Sequence, residues 1–436
     1  MLFGHLGRRL PMTLGVALLG ATLALTGCQS GPGGAEAGGT GSAVDDGTTV
    51  TMWTRSATAD FTQSLVDAYN AGHKNKVDLT VIPFDAYQQK VGAAAGSKQL
   101  PDILSSDVVY APNYSTKGIF ADISGRVQAL PFGNDLAPAH VDASTADGKV
   151  YAVPHAMDLS ALFYNKKLFR EADLDPDKPP TSLTELAASA KKISDLGGKK
   201  SGYYFGGNCG GCMLFGTWPS IWASGGDVIA PDGKSSVINN PQAASIYSLY
   251  GQMFKDGSVP ADARNENGTT QTGVFQSGNI GMQTLGATAL STLKDTKDLE
   301  IGVAPIPGLD GGTSSFIGGD VVGIAATSTK ADAAWDFISW SISDEAQIEV
   351  VAKSGNIPAR VDLAKNKYTT DNPRAELLNS LVAIGKSPKA AGFGVAYLDA
   401  NGPWLQTVRG SVFGNDSAAA LSTGSDAITK ALQTGS

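Results

Sequence analysis

Two short β-type runs each end in residues that could bind a polar solute. Thr49–Trp53 (TVTMW) leads into Thr54-Arg55, and Pro101–Asp107 (PDILSSD) ends on an acid. In open α/β sheets, ligands gather beyond the carboxyl ends of strands. Trp53, Arg55 and Asp107 are therefore candidate contacts. An indole covers apolar faces, and charged groups make the stronger hydrogen bonds. Each residue has an ordinary alternative. Trp53 suits a core, Arg55 an exposed surface, and Asp107 an N-cap for the segment that begins at Val108. Signatures of catalysis fail by inspection. No G-x-S-x-G elbow and no HExxH occurs. Gly385-Lys386-Ser387 resembles the end of a P-loop, but position 380 is Ser where Gly is needed. The four histidines, at 5, 73, 140 and 155, are too scattered for a histidine-rich metal cluster.

The N-terminus reads as an address. Arg8 and Arg9 precede an apolar run over 12–26, the pattern of a secretory signal. That run is shorter than the ~20 residues a spanning helix needs. Leu25-Thr26-Gly27-Cys28 resembles the bacterial lipobox, which implies a lipidated Cys28 as the first residue of the mature chain, without residues 1–27. Residues 28–47 are rich in Gly, Ser and Ala and read as a flexible tether. The whole chain carries 33 basic and 41 acidic residues, a formal charge of −8. A nucleic-acid partner is a poor fit, because such affinity rests on cations against phosphates. Contact with a membrane is expected through the anchor alone.

With Cys28 assigned, Cys209 and Cys212 remain, in Asn208-Cys-Gly-Gly-Cys212. Zinc usually needs four ligands, and no further Cys or nearby His supplies them. A thioredoxin-like role asks for the first Cys at a helix N-terminus after a strand. Here the surroundings read as a Gly-rich loop, and an exported chain meets oxidising conditions. A structural disulfide pinning that loop is the expectation. No metal and no cofactor is expected.

Elements must position these residues. Ala57–Asn70 has helical spacing, with Phe61, Leu65, Val66 and Tyr69 on one face. Strands are read at Val77–Pro83, Lys149–Pro154 and Ser160–Tyr164, and helices at Asp85–Ala95, Lys166–Ala172, Leu183–Leu196 and Pro241–Lys255. Gly273–Ser277, Ile280–Thr284, Ile301–Pro305 and Asp320–Ala325 continue the α/β alternation, before helices at Ala331–Ile342 and Ser417–Leu432. Such alternation implies a parallel sheet.

A set of ordered motifs then resembles a known family. Pro101-Asp102-Ile, Tyr151-Ala-Val-Pro154, Leu162-Phe-Tyr-Asn-Lys166, Phe275–Met282, Pro305-Ile-Pro307, Gly318–Ile324 and Trp335-Asp-Phe-Ile338 follow in that order. Together with the lipobox they are similar to family 1 extracellular solute-binding proteins. These are the sugar-capturing lipoproteins of ABC importers, relatives of maltose-binding protein. The resemblance runs from about Thr48 to the C-terminus. It implies an α/β fold, a two-lobed periplasmic-binding-protein-like clamshell with three interlobe crossings and no catalytic step. The crossings are expected near Met157–Leu159, Phe316–Gly318 and Ile357–Pro358. Lobe one is then 48–157 plus 318–357, and lobe two 158–317 plus 358–436. The implied partners are a carbohydrate ligand and ABC importer permease subunits, with the protein itself a monomer.

The same resemblance nominates further ligand contacts. Asp158 occupies a hinge position where relatives place an acid on the sugar. Asp107 is similarly placed after the PDI strand. Phe215-Gly-Thr-Trp218 and Trp222 resemble an aromatic segment of lobe two; Trp218 and Trp222 share a helix face, which also suits a core. At Gly286 relatives carry a stacking aromatic, whereas this chain has Gly-Ala-Thr. Gly319 and Asp320 sit at the second crossing, where Gly admits close backbone approach. Arg360 follows the third crossing, as a sugar ligand or an interlobe salt bridge. Trp404 stands where relatives stack a Trp. Two rival functions remain open. One is the same fold binding a non-sugar solute such as a polyamine. The other is an exported glycoside hydrolase using two carboxylates across a cleft.

Overall fold

The computed structural model describes residues 43–293 and 296–435. The expected signal segment and Cys28 lie outside the described residues, as does most of the tether. The tether's last residues are fixed to the body instead of loose. The backbone N–H groups of Asp46, Gly47 and Thr48 all donate to Asn75 Oδ1, and Asp45 accepts from the amides of Lys74 and Asn75. Asn75 is buried, so these bonds satisfy a side chain that water cannot reach.

Thr49–Arg55 (β1), Lys76–Ile82 (β2) and Ile103–Asp107 (β3) pair in parallel with β1 in the middle. Helices Ala59–Gly72 (α1) and Phe84–Ser97 (α2) link them in sequence. Along α1, Leu65, Val66 and Tyr69 are buried as the spacing predicts, together with Thr62, while Phe61 is half-buried. The rest of the sheet departs from the parallel expectation except where Ser201–Tyr204 pairs in parallel with Ile280–Gly286. Val153–Asn165 (β4) is one strand of 13 residues where the sequence reads two. Both of its faces are covered, so the period-2 signal is lost. Every residue of β4 is buried except Asp158, which is half-buried.

Ser201–Tyr204 (β5), Ile280–Gly286 (β6), Ile301–Ala304 (β7) and Ile317–Ile324 (β8) complete an eight-stranded sheet. The order is β2-β1-β3-β8-β4-β6-β5, with β7 also on β4. β8 runs antiparallel to both β3 and β4. The first part of β4, through Leu159, pairs with β8, and Ser160–Asn165 pairs with β6 and β7. Gly273–Ser277, read as part of the α/β alternation, falls largely in the helix Gln271–Gln276. Beyond β8, Ala331–Ser341 forms the amphipathic helix expected there, burying Trp335, Phe337 and Ile338.

The CGGC segment is the largest local surprise. Cys209 caps the N-terminus of Gly210–Ala223 (α3), with its Sγ accepting from the Cys212 N–H at 3.0 Å. The two cysteines form a disulfide. It therefore staples the first turn of a helix that follows a strand, not a free loop. Just past the expected third crossing at Ile357–Pro358, the chain keeps hydrogen bonds to earlier residues. Ala359 and Arg360 stay with Gln347, Ala137 and Leu136, and Tyr368 still bonds Glu349. Farther along, the helix Pro373–Leu381 packs on β4 and β7.

A bulge in β8 shifts its register against β4 between Gly319 and Val321. Gly319 has φ +95°, and a Cβ there would lie 2.0 Å from the Ala156 carbonyl oxygen. Both backbone conformation and space demand glycine. Gly319→Ala is expected to cost about 2 kcal/mol or more of stability, measurable by urea denaturation as a lower midpoint with unchanged slope.

Candidate ligand-binding cleft

The carboxyl ends of β1 and β3 place Arg55 and Asp107 side by side at the sheet edge, with Nη1 of Arg55 2.8 Å from Asp107 Oδ2. β8 brings Asp320 into register opposite Asp107. Asp320 is fully buried and takes both Nε (2.7 Å) and Nη2 of Arg55 on Oδ1. Its Oδ2 accepts from Thr58 Oγ1 (2.8 Å) and Ser105 Oγ (2.9 Å). Burial alone would raise the Asp320 carboxyl, but Arg55 and Thr58 outweigh it and hold it below the usual carboxylate range. Burial raises Asp107, against the lowering by Arg55. Burial pulls the His140 and His155 imidazoles down to about 4. His155 Nε2 lies 3.0 Å from Thr62 Oγ1, and His140 Nε2 lies 2.9 Å from the Gly318 carbonyl oxygen.

This cluster floors a cleft of about 490 Å³. On its first side stand Arg55, Thr58, Asp60, Phe61, Phe84 and Asp107. On the other stand Asp158, Gly211, Leu214, Phe215, Thr288, Phe316, Phe393 and Leu398. Gly318, Gly319 and Asn356 also belong to the lining. Asp158 is held by the Leu159 N–H at 3.0 Å. Gly286 lies against its carboxylate: a Cβ there would meet Asp158 Oδ2 at 3.0 Å. The missing side chain at Gly286 is what leaves room for the acid. Burial pushes the Asp158 carboxyl up to about 6, only partly offset by the amides of Leu159, Thr288 and Ala287.

The structure separates the nominated residues. Arg55, Asp107, Asp158, Phe215 and Gly319 line the cleft; Asp320 and Gly286 stand directly behind Arg55 and Asp158. Asp107 also caps the turn at Val108, accepting from the Val109 N–H at 3.2 Å, so the two readings of it coexist. Five nominations fall elsewhere. Trp53 is half-buried beneath Lys90, whose Nζ lies 4.6 Å from the ring centre. Trp218 and Trp404 have no exposed surface; their rings pack at 5.6 Å, and Trp404 Nε1 donates to the Gly210 carbonyl. Trp222 turns to a separate cavity, with Nε1 on Asp227 at 3.1 Å. Arg360 is clamped by Asp344 and Asp362, both at 2.6 Å, over the Phe132 ring. Arg360 is therefore ion-paired and does not stand in the lining of the cleft.

Sequence reasoning passed over Phe61, Phe84, Phe316 and Phe393. Phe84 was reachable by the strand-end rule, since it follows Ile82-Pro83 at the end of β2. It is 59 % exposed, the most exposed large apolar residue among those described. Nothing in the local sequence marks Phe393.

The chain matches the bacterial extracellular solute-binding protein family over residues 55–348 and belongs to that family. Among its relatives is the diacetylchitobiose-binding protein DasA of Streptomyces coelicolor, 27% identical over 369 residues, covering 82% of this chain and 84% of the relative. The glycerol-3-phosphate-binding protein UgpB of Yersinia pestis is 25% identical over 346 residues, 72% of this chain and 75% of the relative. Among solved structures, the cyclic α-maltosyl-1,6-maltose-binding protein of Arthrobacter globiformis aligns with TM-score 0.77 at 26% identity, over 89% of this chain and all of that one. The sugar-binding protein MalE of Xanthomonas citri aligns with TM-score 0.79 at 20% identity, over 89% and 98%. The fold is thus that of maltose-binding-protein-like periplasmic binding proteins, and the chain is a binding protein, not an enzyme. No helix among the described residues is long and apolar enough to cross a membrane.

The raised Asp158 carboxyl has a testable consequence. Its folded value of about 6 exceeds the ordinary 3.8. Its contribution to stability is therefore present below about 3.8 and is lost as pH rises through 6. Asp158→Asn should melt above the wild type at pH 7.5, with the difference closing by pH 4, in scans of the unliganded protein.

Proposed function

We propose that the protein captures a mono- or short oligosaccharide in this cleft and delivers it to the permease of an ABC importer. The observation that carries this reading is the lining itself: phenylalanine rings from both sides of the cleft interleave with Asp107, Asp158 and Asn356. Rings suit the C–H faces of a sugar, and carboxylates and amides suit its hydroxyls. The relatives named for saccharides point the same way. A phosphate ester of the glycerol-3-phosphate kind fits less well. Arg55 is the sole cation of the lining, and its three nitrogens already face carboxylates.

The two sides of the cleft are read as the two lobes of a clamshell. Lobe one comprises residues 48–157 with 318 to about 368, and lobe two 158–317 with about 373–436. The change of partner along β4 at Leu159–Ser160 supports the first boundary, and the course of the chain beyond Tyr368 supports the last. The protein is a monomer in this reading, held at the outer face of the cell membrane by a lipid on Cys28.

A thermal-shift screen of mono- and oligosaccharides on the full chain in detergent tests the ligand class. A saccharide at ~100 times its dissociation constant should add about 2.7 kcal/mol to stability. Phe84→Ala should weaken that ligand roughly tenfold, about 1.4 kcal/mol, without lowering the unliganded melting temperature, because the ring is exposed. Silence across all sugars overturns the reading. Cys28→Ala should move the protein from the membrane pellet to the soluble fraction on cell fractionation; retention in the pellet would refute the anchor.

A further inference from the structure

The charges of the cleft do not balance. Asp107 and Asp320 share the single guanidinium of Arg55. Asp158 stands on the opposite side, bonded to backbone amides, with Arg55 the last of the groups that lower it, and Asp60 stands exposed at the mouth in the first turn of α1. Three carboxylates and one cation therefore line the space. Four acids are in play once Asp320 beneath the floor is counted. When a ligand fills the cleft and displaces its water, a carboxylate without a cationic partner becomes costly. A neutral sugar can donate hydroxyls to such groups but cannot neutralise them. The protein has no further cation in the lining to do so.

We infer that the cleft selects saccharides carrying a free ammonium group, amino sugars, over their neutral counterparts, with Asp158 and Asp60 receiving the charge. This rests on the saccharide reading above and narrows it. An ammonium placed among these acids makes charge-assisted hydrogen bonds and supplies the missing counter-charge. Neighbouring phenylalanine faces add cation–π attraction. The same field repels phosphorylated and acidic sugars.

Isothermal titration of the full chain with three matched β-1,4 disaccharides tests this. They carry a free amine (glucosamine), an acetamide (N-acetylglucosamine) or a hydroxyl (glucose) at the same ring position. The free-amine disaccharide should bind about tenfold or more tighter than either neutral one at 50 mM NaCl. The gap should shrink several-fold at 500 mM, because salt screens charges near solvent. Asp60→Asn, at an exposed site, should narrow the gap by weakening the amine ligand more than the neutral ones. Asp158→Asn should narrow it further. Equal or tighter binding of a neutral disaccharide overturns the charge selection and leaves the saccharide reading standing. Binding of spermidine with none of the three disaccharides overturns both the amino-sugar inference and the saccharide reading, while retaining a cation-selective cleft.

Discussion

A buried guanidinium holds the centre of this molecule together. Asp107 and Asp320 face each other in register on neighbouring strands. Two like charges so placed repel, and only Arg55, reaching in from the next strand, makes the arrangement tolerable. Its geometry ties the ends of β1 and β3 to the bulge of β8. Thr58 and Ser105 complete the hydrogen bonding of the Asp320 carboxylate. Removing one member of such a group leaves the others charged and unpaired in a low dielectric, which is why a buried pair is expensive to break even when it adds little net stability. The floor of the cleft is therefore rigid. It presents an Asp107–Arg55 pair whose hydrogen bonds are largely committed before any ligand arrives.

The opposite wall is built differently. β4 runs uninterrupted from the first set of strands into the second and exposes Asp158 at the changeover. Apolar packing supports the wall. Trp218 sits 4.9 Å from Tyr397 and about 6 Å from Phe316 and Phe393, so the tryptophan steadies rings that themselves line the cleft. The disulfide at the start of α3 lies one residue from Gly211, which is part of the lining. Side chains that resembled ligand contacts in the sequence thus act one layer back, as props for smaller aromatic rings.

How much was readable depended on whether a residue's role is local. The strand-end rule picked out Arg55 and Asp107 because the terminus of a strand is a local property. Applied once more, to Ile82-Pro83, it reaches Phe84. Gly319 was legible too, since a glycine beside a crossing signals close backbone approach, and its positive φ agrees. Trp218, Trp222 and Trp404 were not. Trp218 and Trp222 share a periodic pattern with Leu214 and Phe215, Trp404 sits in the first turn of another helix, and periodicity assigns a face without assigning a depth. The parallel sheet expected from alternation failed for a related reason. Strand spacing does not reveal that β8 returns antiparallel between β3 and β4.

The sequence by itself determined the α/β class, the elements around the first strands and helices, the pairing of Cys209 with Cys212 and the ordered motifs that mark the family. Those are written in short-range spacing, residue type and order along the chain. The tertiary structure alone decided that Arg55 belongs to Asp320, 265 residues away. It also decided that Arg360 pairs with Asp344 and Asp362, and that phenylalanines instead of tryptophans line the cleft. Such outcomes depend on which surfaces meet at long range and on how much water each side chain keeps, and neither quantity is carried by any local stretch of sequence.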